Sequence, residues 1–503
     1  MARRAVVKDD KIERWGSRAD MSVSSLMLQS ALCCVLVLLA ALSAQLAGLT
    51  LVRIFKAKRL LALANLSEPD LPRVLVQLPV CNEGALALRV AAAAAALDWP
   101  KDRLEIQLLD DGRALAHDDL CRAVRGIVPA DVNLSVLRRG ERTGFKAGNL
   151  AFGLRHCDAP YVAIFDADFV PPPDFLRRTV PALVADSKLA FVQARWGHAN
   201  RETNWLTRVQ GFLLDAHFAV EQEARYRLGL PMSFNGTAGV WSRAAIEDGG
   251  GWTGDTLTED LDLSIRCALK GWHAAVIADL EVPGELPETA AGWRAQQARW
   301  TKGHAQCAGK LLPDIWSSTM SVWVKAAMTV QISQFAFYTL AASSVAISLT
   351  LMALGAIYLK PVTELGLGVS VLGLTASLTY LYTGQKMLGR HDQPWLPLSL
   401  LCAIVLPSGL ILANVRATFE AMFGKEMDFT PTPKAGAVVI SAWRGHPEIF
   451  VGLFLPGFAL AEQAWSTPFF VFAAAGFLSV GAMGLSSTVN RPRGRAVPAN
   501  SQN

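Results

Sequence analysis

From Ser25 to Phe55 the chain carries no charged side chain before Arg53. As a helix rising about 1.5 Å per residue, such a run exceeds the roughly 30 Å of a bilayer's hydrocarbon. It is too long for the apolar core of a signal peptide, and no clear cleavage site follows. Apolar runs return after position 315, at 333–358, 366–387, 447–463 and 466–486. A chain of this pattern sets a water-facing middle between membrane-facing ends. Its composition fits: 52% of 503 residues are apolar, 18% are charged, and the mean hydropathy is +0.29. The net charge of +5 comes without a concentrated basic stripe, so no nucleic-acid partner is expected.

The sequence divides into a polar tail (1–21), a first transmembrane helix (22–55), a soluble domain (56–315), a second membrane region (316–487) and a C-terminal tail (488–503). The basic cluster Arg53, Lys56, Lys58 and Arg59 places the soluble domain in the cytoplasm by the positive-inside rule, against the weaker pull of the mixed-charge tail. Segment 396–414 is apolar but interrupted by Pro407-Ser408-Gly409. An interfacial, non-crossing 396–414 keeps the basic loop 415–445 on the same side as Lys386, Arg390 and Arg491, which gives five crossings. The expected location is the inner or plasma membrane. The cysteines, at 33, 34, 81, 121, 157, 267, 307 and 402, form no CxxC and no zinc-like spacing. They read as reduced packing residues of a cytosolic domain.

Within 72–300, apolar strands alternate with helical stretches. RVLVQLPV (73–80) leads into CNEG and a helix at 85–97. EIQLLDDG (105–112), VNLSVLRRG (132–140) and YVAIFDAD (161–168) follow as strands. This alternation predicts an α/β domain around a parallel sheet. Ligands bind beyond the carboxyl ends of such strands, where both acidic clusters fall.

Asp166 and Asp168 flank one alanine after VAIF, ahead of a proline run. Two such carboxylates suit Mg²⁺ or Mn²⁺, which complete their shell with substrate phosphates; a solvated turn is the plainer reading. Asp110 and Asp111 could bind a ribose, a base or a metal, or could cap a helix. Lys146 lies among Gly140, Gly144 and Gly148, where backbone and ammonium can approach a diphosphate. Asp260, in GDTLTEDLDL, opens a helix and is an available carboxylate for general-base work. A capping box through Thr258 or Glu259 competes with that reading, and Asp262 ranks below Asp260. In QQARW (296–300), Arg299 suits a departing diphosphate and Trp300 a pyranose face. A membrane-interface anchor made with Trp293 and Arg294 is the alternative.

In this order, LLDDG, FKAGN, FDADF, TED and QQARW resemble the signature set of the processive family-2 inverting glycosyltransferases, the cellulose synthase superfamily. VQLPVCNE, VQARWGHANRE, FAVEQE, FNGTAGVW and TLTEDLDLSIRCALKGW further resemble the plant glucomannan mannosyltransferases and the xyloglucan-backbone glucan synthases. The resemblance covers roughly 70–310 well and the membrane part loosely. It implies a cytosolic, Rossmann-like GT-A glycosyltransferase domain inserted between transmembrane helices. It implies Asp110 and Asp111 on the nucleotide, Asp166 and Asp168 on the metal, and Asp260 as base with Glu259 beside it. Gln296, Arg299 and Trp300 would hold the diphosphate and the acceptor end, and Phe234 and Asn235 of FNGT would lie near the acceptor sugar. FTPTPK (429–434) is similar to a gating loop, with Phe429, Thr432 and Lys434 keeping the pattern and Pro431 departing from it. No cyclic-dinucleotide-binding domain follows, so no regulation of that kind is expected. The implied partners are a nucleotide sugar (UDP-glucose or GDP-mannose), a glycan acceptor and the bilayer. The product would be a β-1,4-glucan or mannan. A non-processive transferase making a glycolipid is the runner-up. A membrane scaffold or transporter is a weaker reading, since transporters bury their site among spans.

Overall fold

The computed structural model describes residues 23–113, 116–356, 358–424, 445–462 and 467–486. The gating-like positions Phe429, Thr432 and Lys434 lie outside these residues.

The soluble part is built on a seven-stranded sheet of order β3-β2-β1-β4-β6-β5-β7. The strands are β1 (Val74–Val80), β2 (Leu104–Asp110), β3 (Asn133–Arg138), β4 (Tyr161–Ile164), β5 (Leu189–His198), β6 (Gly239–Ser242) and β7 (His273–Gly284). Six of the seven residues of β1 are buried, as expected of a central strand covered on both faces. Its neighbours β2 and β4 run parallel to it, and β3 runs parallel to β2.

The expected parallel sheet is only part of the structure. Strand β6 is antiparallel to both β4 and β5, so the sheet is mixed. After β5 and the helices that follow it, the chain enters β6 from the end of the sheet where β4 finishes, by way of the FNGT turn. That turn lies beside the ends of β1, β2 and β4, where the chemistry-bearing residues gather.

Strand β4 is also shorter than expected. Its pairing with β1 stops at Gln77↔Ile164, and Phe165 N–H still donates to Gln77 O at 3.1 Å. Asp166 and Asp168 therefore stand on a loop beyond the strand, facing the last residues of β1.

Among the described residues four helices are long and apolar enough to cross a membrane by length and composition: Val23–Phe55, Ala336–Ala353, Lys360–Met387 and Leu396–Met422. Pro407 and Gly409 do not end the last of these. They form a 3-10 turn, Leu406–Leu410, that carries Leu396–Val405 into Ile411–Met422. The break that argued for a non-crossing segment is thus a local tightening of a continuous rod. Helices His446–Glu462 and Thr467–Ser486 follow at the positions of the last two expected spans. Cys267 and Cys307 are buried, and all eight thiols are unpaired.

Two helices join the domain to the membrane region. Ala290–Ser317 carries the QQARW motif, and Val322–Ile332 follows it. Ion pairs tie the first to the later helices on either side of that motif: Arg294 to Glu448 at 3.5 Å and Lys302 to Glu420 at 3.8 Å. A second tie centres on a fully buried carboxylate. Asp215, with no solvent exposure, pairs with Arg201, with Arg390 at 3.1 Å, and with Gln385 Nε2 at 3.1 Å. Gln385 lies near the end of Lys360–Met387 and Arg390 just beyond it.

Candidate active site

A cleft of about 430 Å³ opens at the carboxyl ends of β1 and β4. It is lined by Asp111, Lys146, Asp166, Asp168, Glu259, Asp260, Gln296, Arg299 and Trp300, among others. Nine positions spread over 190 residues of sequence are therefore brought to one cavity.

Lys146 lies in the first turn of helix Phe145–Leu154, which Gly144 opens at φ +67°. Its ammonium donates to Asp166 Oδ1 at 2.6 Å and to Gly236 O at 2.8 Å, and lies 3.9 Å from Glu259. Burial pushes its pKa down, but Asp166 and Glu259 outweigh that and hold it above its ordinary value. Asp166 is fixed by its backbone N–H, which donates to Thr237 Oγ1 at 2.9 Å. Asp168 accepts from the Glu285 N–H at 3.3 Å.

Asp260 lies in the first turn of helix Glu259–Leu269, and Oδ1 accepts from the Leu261 N–H at 2.9 Å. Thr258 stands at the N-cap position without capping, so the competing capping box is not formed. Burial first, and then the Glu259 charge, pushes Asp260 up to about 7. Glu259 is also raised, chiefly by burial. A carboxylate so poised matches the operating pH of a general base. Asp262 is a structural residue: wholly buried, it pairs with Arg266 at 2.7 Å and Lys310 at 2.8 Å.

Arg299 is half-buried among carboxylates. Desolvation lowers its pKa, while Glu259, Asp166, Asp260 and Asp168 pull it up. Four carboxylates thus face two cations, an excess of negative charge that a divalent cation would balance. Asp166 and Asp168 have the chemistry to hold one. Among the described residues no group of three His, Cys, Asp or Glu surrounds one point. Water and a diphosphate would have to complete the shell, as Mg²⁺ and Mn²⁺ commonly require.

Trp300 faces Trp196 with ring centroids 6.5 Å apart, and Trp196 packs on Phe169 at 5.1 Å. These rings give the cleft an aromatic side suited to pyranose C–H faces.

Three expected residues have other surroundings. Asp110 is buried and turned out of this cleft. It accepts from Gly112 N–H at 2.7 Å, and its Oδ2 lies 2.8 Å from His117 Nδ1 and 3.1 Å from Arg138. Asp111 borders the cleft but is clamped by Arg139 at 2.6 and 2.8 Å. Phe234 borders it too, with its ring buried against Phe191 and Trp241 at 5.5 and 5.3 Å. Residues that received no role from the sequence line the same space: Trp196, His217, Glu221 and Gln334.

Residues 161–406 match the family described as glycosyl transferase family group 2. This chain carries a family 2 glycosyltransferase domain. Glucomannan 4-β-mannosyltransferase 1 of Oryza sativa subsp. japonica is 42% identical over 259 residues, which is 50% of this chain and 50% of the relative. Glucomannan 4-β-mannosyltransferase 7 of Arabidopsis thaliana is 43% identical over 261 residues, 50% of this chain and 47% of that one. The chain spans about half the length of the curated relatives it matches. Among solved structures, a mannosyltransferase of Pyrobaculum calidifontis in complex with GDP-Man and Mn²⁺ superposes with a TM-score of 0.54 at 20% identity. The match covers 78% of this chain and 100% of that one. The glycosyltransferase domain has the GT-A fold.

Proposed function

We propose that this protein transfers a hexose, with inversion, from a nucleotide sugar to the growing end of a β-linked glycan at a membrane surface. The observation that carries this reading is the position of Asp260. It is an up-shifted carboxylate in the same cleft as a metal-suited pair, a half-buried arginine and an aromatic wall. The mannosyltransferase names of the relatives favour GDP-mannose as donor over UDP-glucose, and a β-1,4-linked product.

In this mechanism Lys146 and Arg299 meet the diphosphate and neutralise charge as it departs. A divalent cation held by Asp166 and Asp168 would supply further charge neutralisation at the leaving diphosphate. Trp300 and Trp196 hold the acceptor's terminal sugar by its apolar face. Asp260 takes the proton of the acceptor hydroxyl, and the oxygen forms its bond to the anomeric carbon. The bond from that carbon to the diphosphate oxygen breaks on the opposite face, so an α-linked donor gives a β-linkage. The apolar helices that flank the domain support a membrane-embedded enzyme, and the basic residues Arg53, Lys56, Lys58 and Arg59 favour a cytoplasmic catalytic domain. Successive additions without release are part of the proposal.

The test is incubation of purified full-length protein with Mn²⁺ or Mg²⁺ and labelled GDP-mannose or UDP-glucose in separate reactions, with the products sized. A long β-mannanase-sensitive product from GDP-mannose is expected. A single lipid-sized product would replace polymer synthesis with glycolipid synthesis.

A further inference from the structure

Two charged residues beside Asp168, Arg89 and Glu285, have no part in the mechanism above, yet they converge on it from separate elements. Asp168 is buried and stands on the loop beyond β4, next to the end of β7. The two segments are zipped together. The Val170 N–H donates to Pro283 O at 2.9 Å. A Cβ on Gly284 would lie 2.5 Å from the Phe169 ring, so the approach depends on a residue without a side chain. This contact carries the next N–H, that of Glu285, to Asp168 Oδ2 at 3.3 Å.

The Glu285 side chain adds a second tie. Its Oε1 lies 2.7 Å from Arg89 Nη2, and the same nitrogen donates to the Asp168 backbone carbonyl at 3.3 Å. That nitrogen carries two hydrogens, so both bonds can be made at once. Arg89 belongs to helix Gly84–Ala95, which follows β1. One guanidinium therefore joins three segments: the helix after β1, the Asp168 loop and the end of β7. The Glu285 side chain is only 8% exposed, which makes the pair firmer than one on an open surface.

We propose that Arg89 and Glu285 are positioning residues for Asp168, and that their pairing sets the affinity of the cleft for a divalent cation. This rests on the metal-dependent transfer proposed above and deepens it. Neighbours that fix an oxygen ligand in advance raise cation affinity, because less freedom is lost on binding. Charge alone gives the opposite expectation for Arg89. A cation so near Asp168 repels a divalent ion, so deleting it would tighten binding if charge decided. If orientation decides, deleting it loosens binding. For Glu285 both effects have the same sign, so Arg89 is the residue that separates them.

The experiment uses purified full-length protein with Mn²⁺ as probe, in the presence of GDP and, separately, UDP. Bound Mn²⁺ is read by electron paramagnetic resonance, and metal-free nucleotide affinity by calorimetry. Arg89→Met and Glu285→Gln should each weaken Mn²⁺ binding about tenfold, the usual scale for residues that orient a metal ligand. Arg89→Lys, which keeps a cation with several hydrogens, should recover part of the loss. In transfer assays the Mn²⁺ concentration for half-maximal rate should rise in both variants, with kcat at saturating Mn²⁺ close to wild type. Arg89→Met that binds Mn²⁺ as tightly as wild type, or more tightly, overturns the proposal while leaving metal-dependent transfer intact. A fall of the same size in metal-free nucleotide affinity also overturns it, because that is damage to the whole cleft. Equal Mn²⁺ binding by wild type and Asp168→Asn overturns the placing of the ion at Asp168. A wild-type protein that binds no Mn²⁺ with either nucleotide overturns the metal reading on which the proposal rests.

Discussion

Gly236 and Asp260 are packed so closely that a methyl group on Gly236 would lie 3.1 Å from Asp260 Oδ2 and 3.5 Å from Lys146 Nζ. Gly236 also holds φ +80°, a conformation that side-chain-bearing residues rarely adopt. Gly236→Ala therefore strains the turn and pushes on the proposed base together with the proposed diphosphate ligand. The expected result is a fall in kcat of about tenfold or more, with a loss of stability of about 1 kcal/mol. Initial rates and thermal unfolding of the same preparation check it.

Asp260 predicts the acid limb of the pH profile. With its pKa raised to about 7, the base is protonated below neutrality. A base must be ionised to act, so kcat/KM should fall about tenfold per pH unit below that point. The neighbouring Glu259 charge is one cause of the shift, after burial. Glu259→Gln should accordingly move the acid limb to lower pH. A limb that stays in place in this variant removes Glu259 from the account.

Lys146 spans Asp166, Gly236 and Glu259. Lys146→Met deletes that cation and leaves the cleft more negative. Affinity for the nucleoside diphosphate should fall about tenfold or more, because a charge-assisted contact is lost. Chelation of divalent cations should lower nucleotide affinity as well, and added Mn²⁺ should restore it. Both effects are read by calorimetry, without turnover.

Asp215 is buried without exposure against Arg201, Arg390 and Gln385. Asp215→Ala strands the buried Arg201 and should cost about 3–5 kcal/mol. Arg390, partly exposed, should cost less when truncated. Thermal unfolding in detergent gives both values. Equal melting temperatures for wild type and Asp215→Ala would remove this junction from the stability of the domain–membrane contact.

Much of the sheet was legible because β1, β2 and β4 are apolar runs that the fold buries. Strands β5, β6 and β7 were not read; β6 is four residues, GVWS, which carry no periodicity and whose direction is set by where the FNGT turn returns the chain. The carboxylates of the cleft announced themselves by their place at strand and helix ends. Asp110 has the same local setting as Asp111, yet it is turned away by His117 and Arg138, and no local pattern reports that pairing. Phe234 reads as a site residue through its neighbours, but its ring completes the aromatic core. His217 and Glu221 line the cleft but went unassigned because the π turn His217–Gln222 brings them there, and such a turn leaves no spacing signature of its own. Pro407 looked like a breaker; in the structure its ring sits in a 3-10 turn that a helix can absorb.

The most direct test of the central claim compares wild type with Asp260→Asn for hexose transfer from GDP-mannose and from UDP-glucose, with GDP and UDP binding measured on the same protein. Loss of transfer by about a thousandfold, with nucleotide affinity kept, is the predicted result for a residue that acts as the base. Transfer by Asp260→Asn at the wild-type rate would contradict the account.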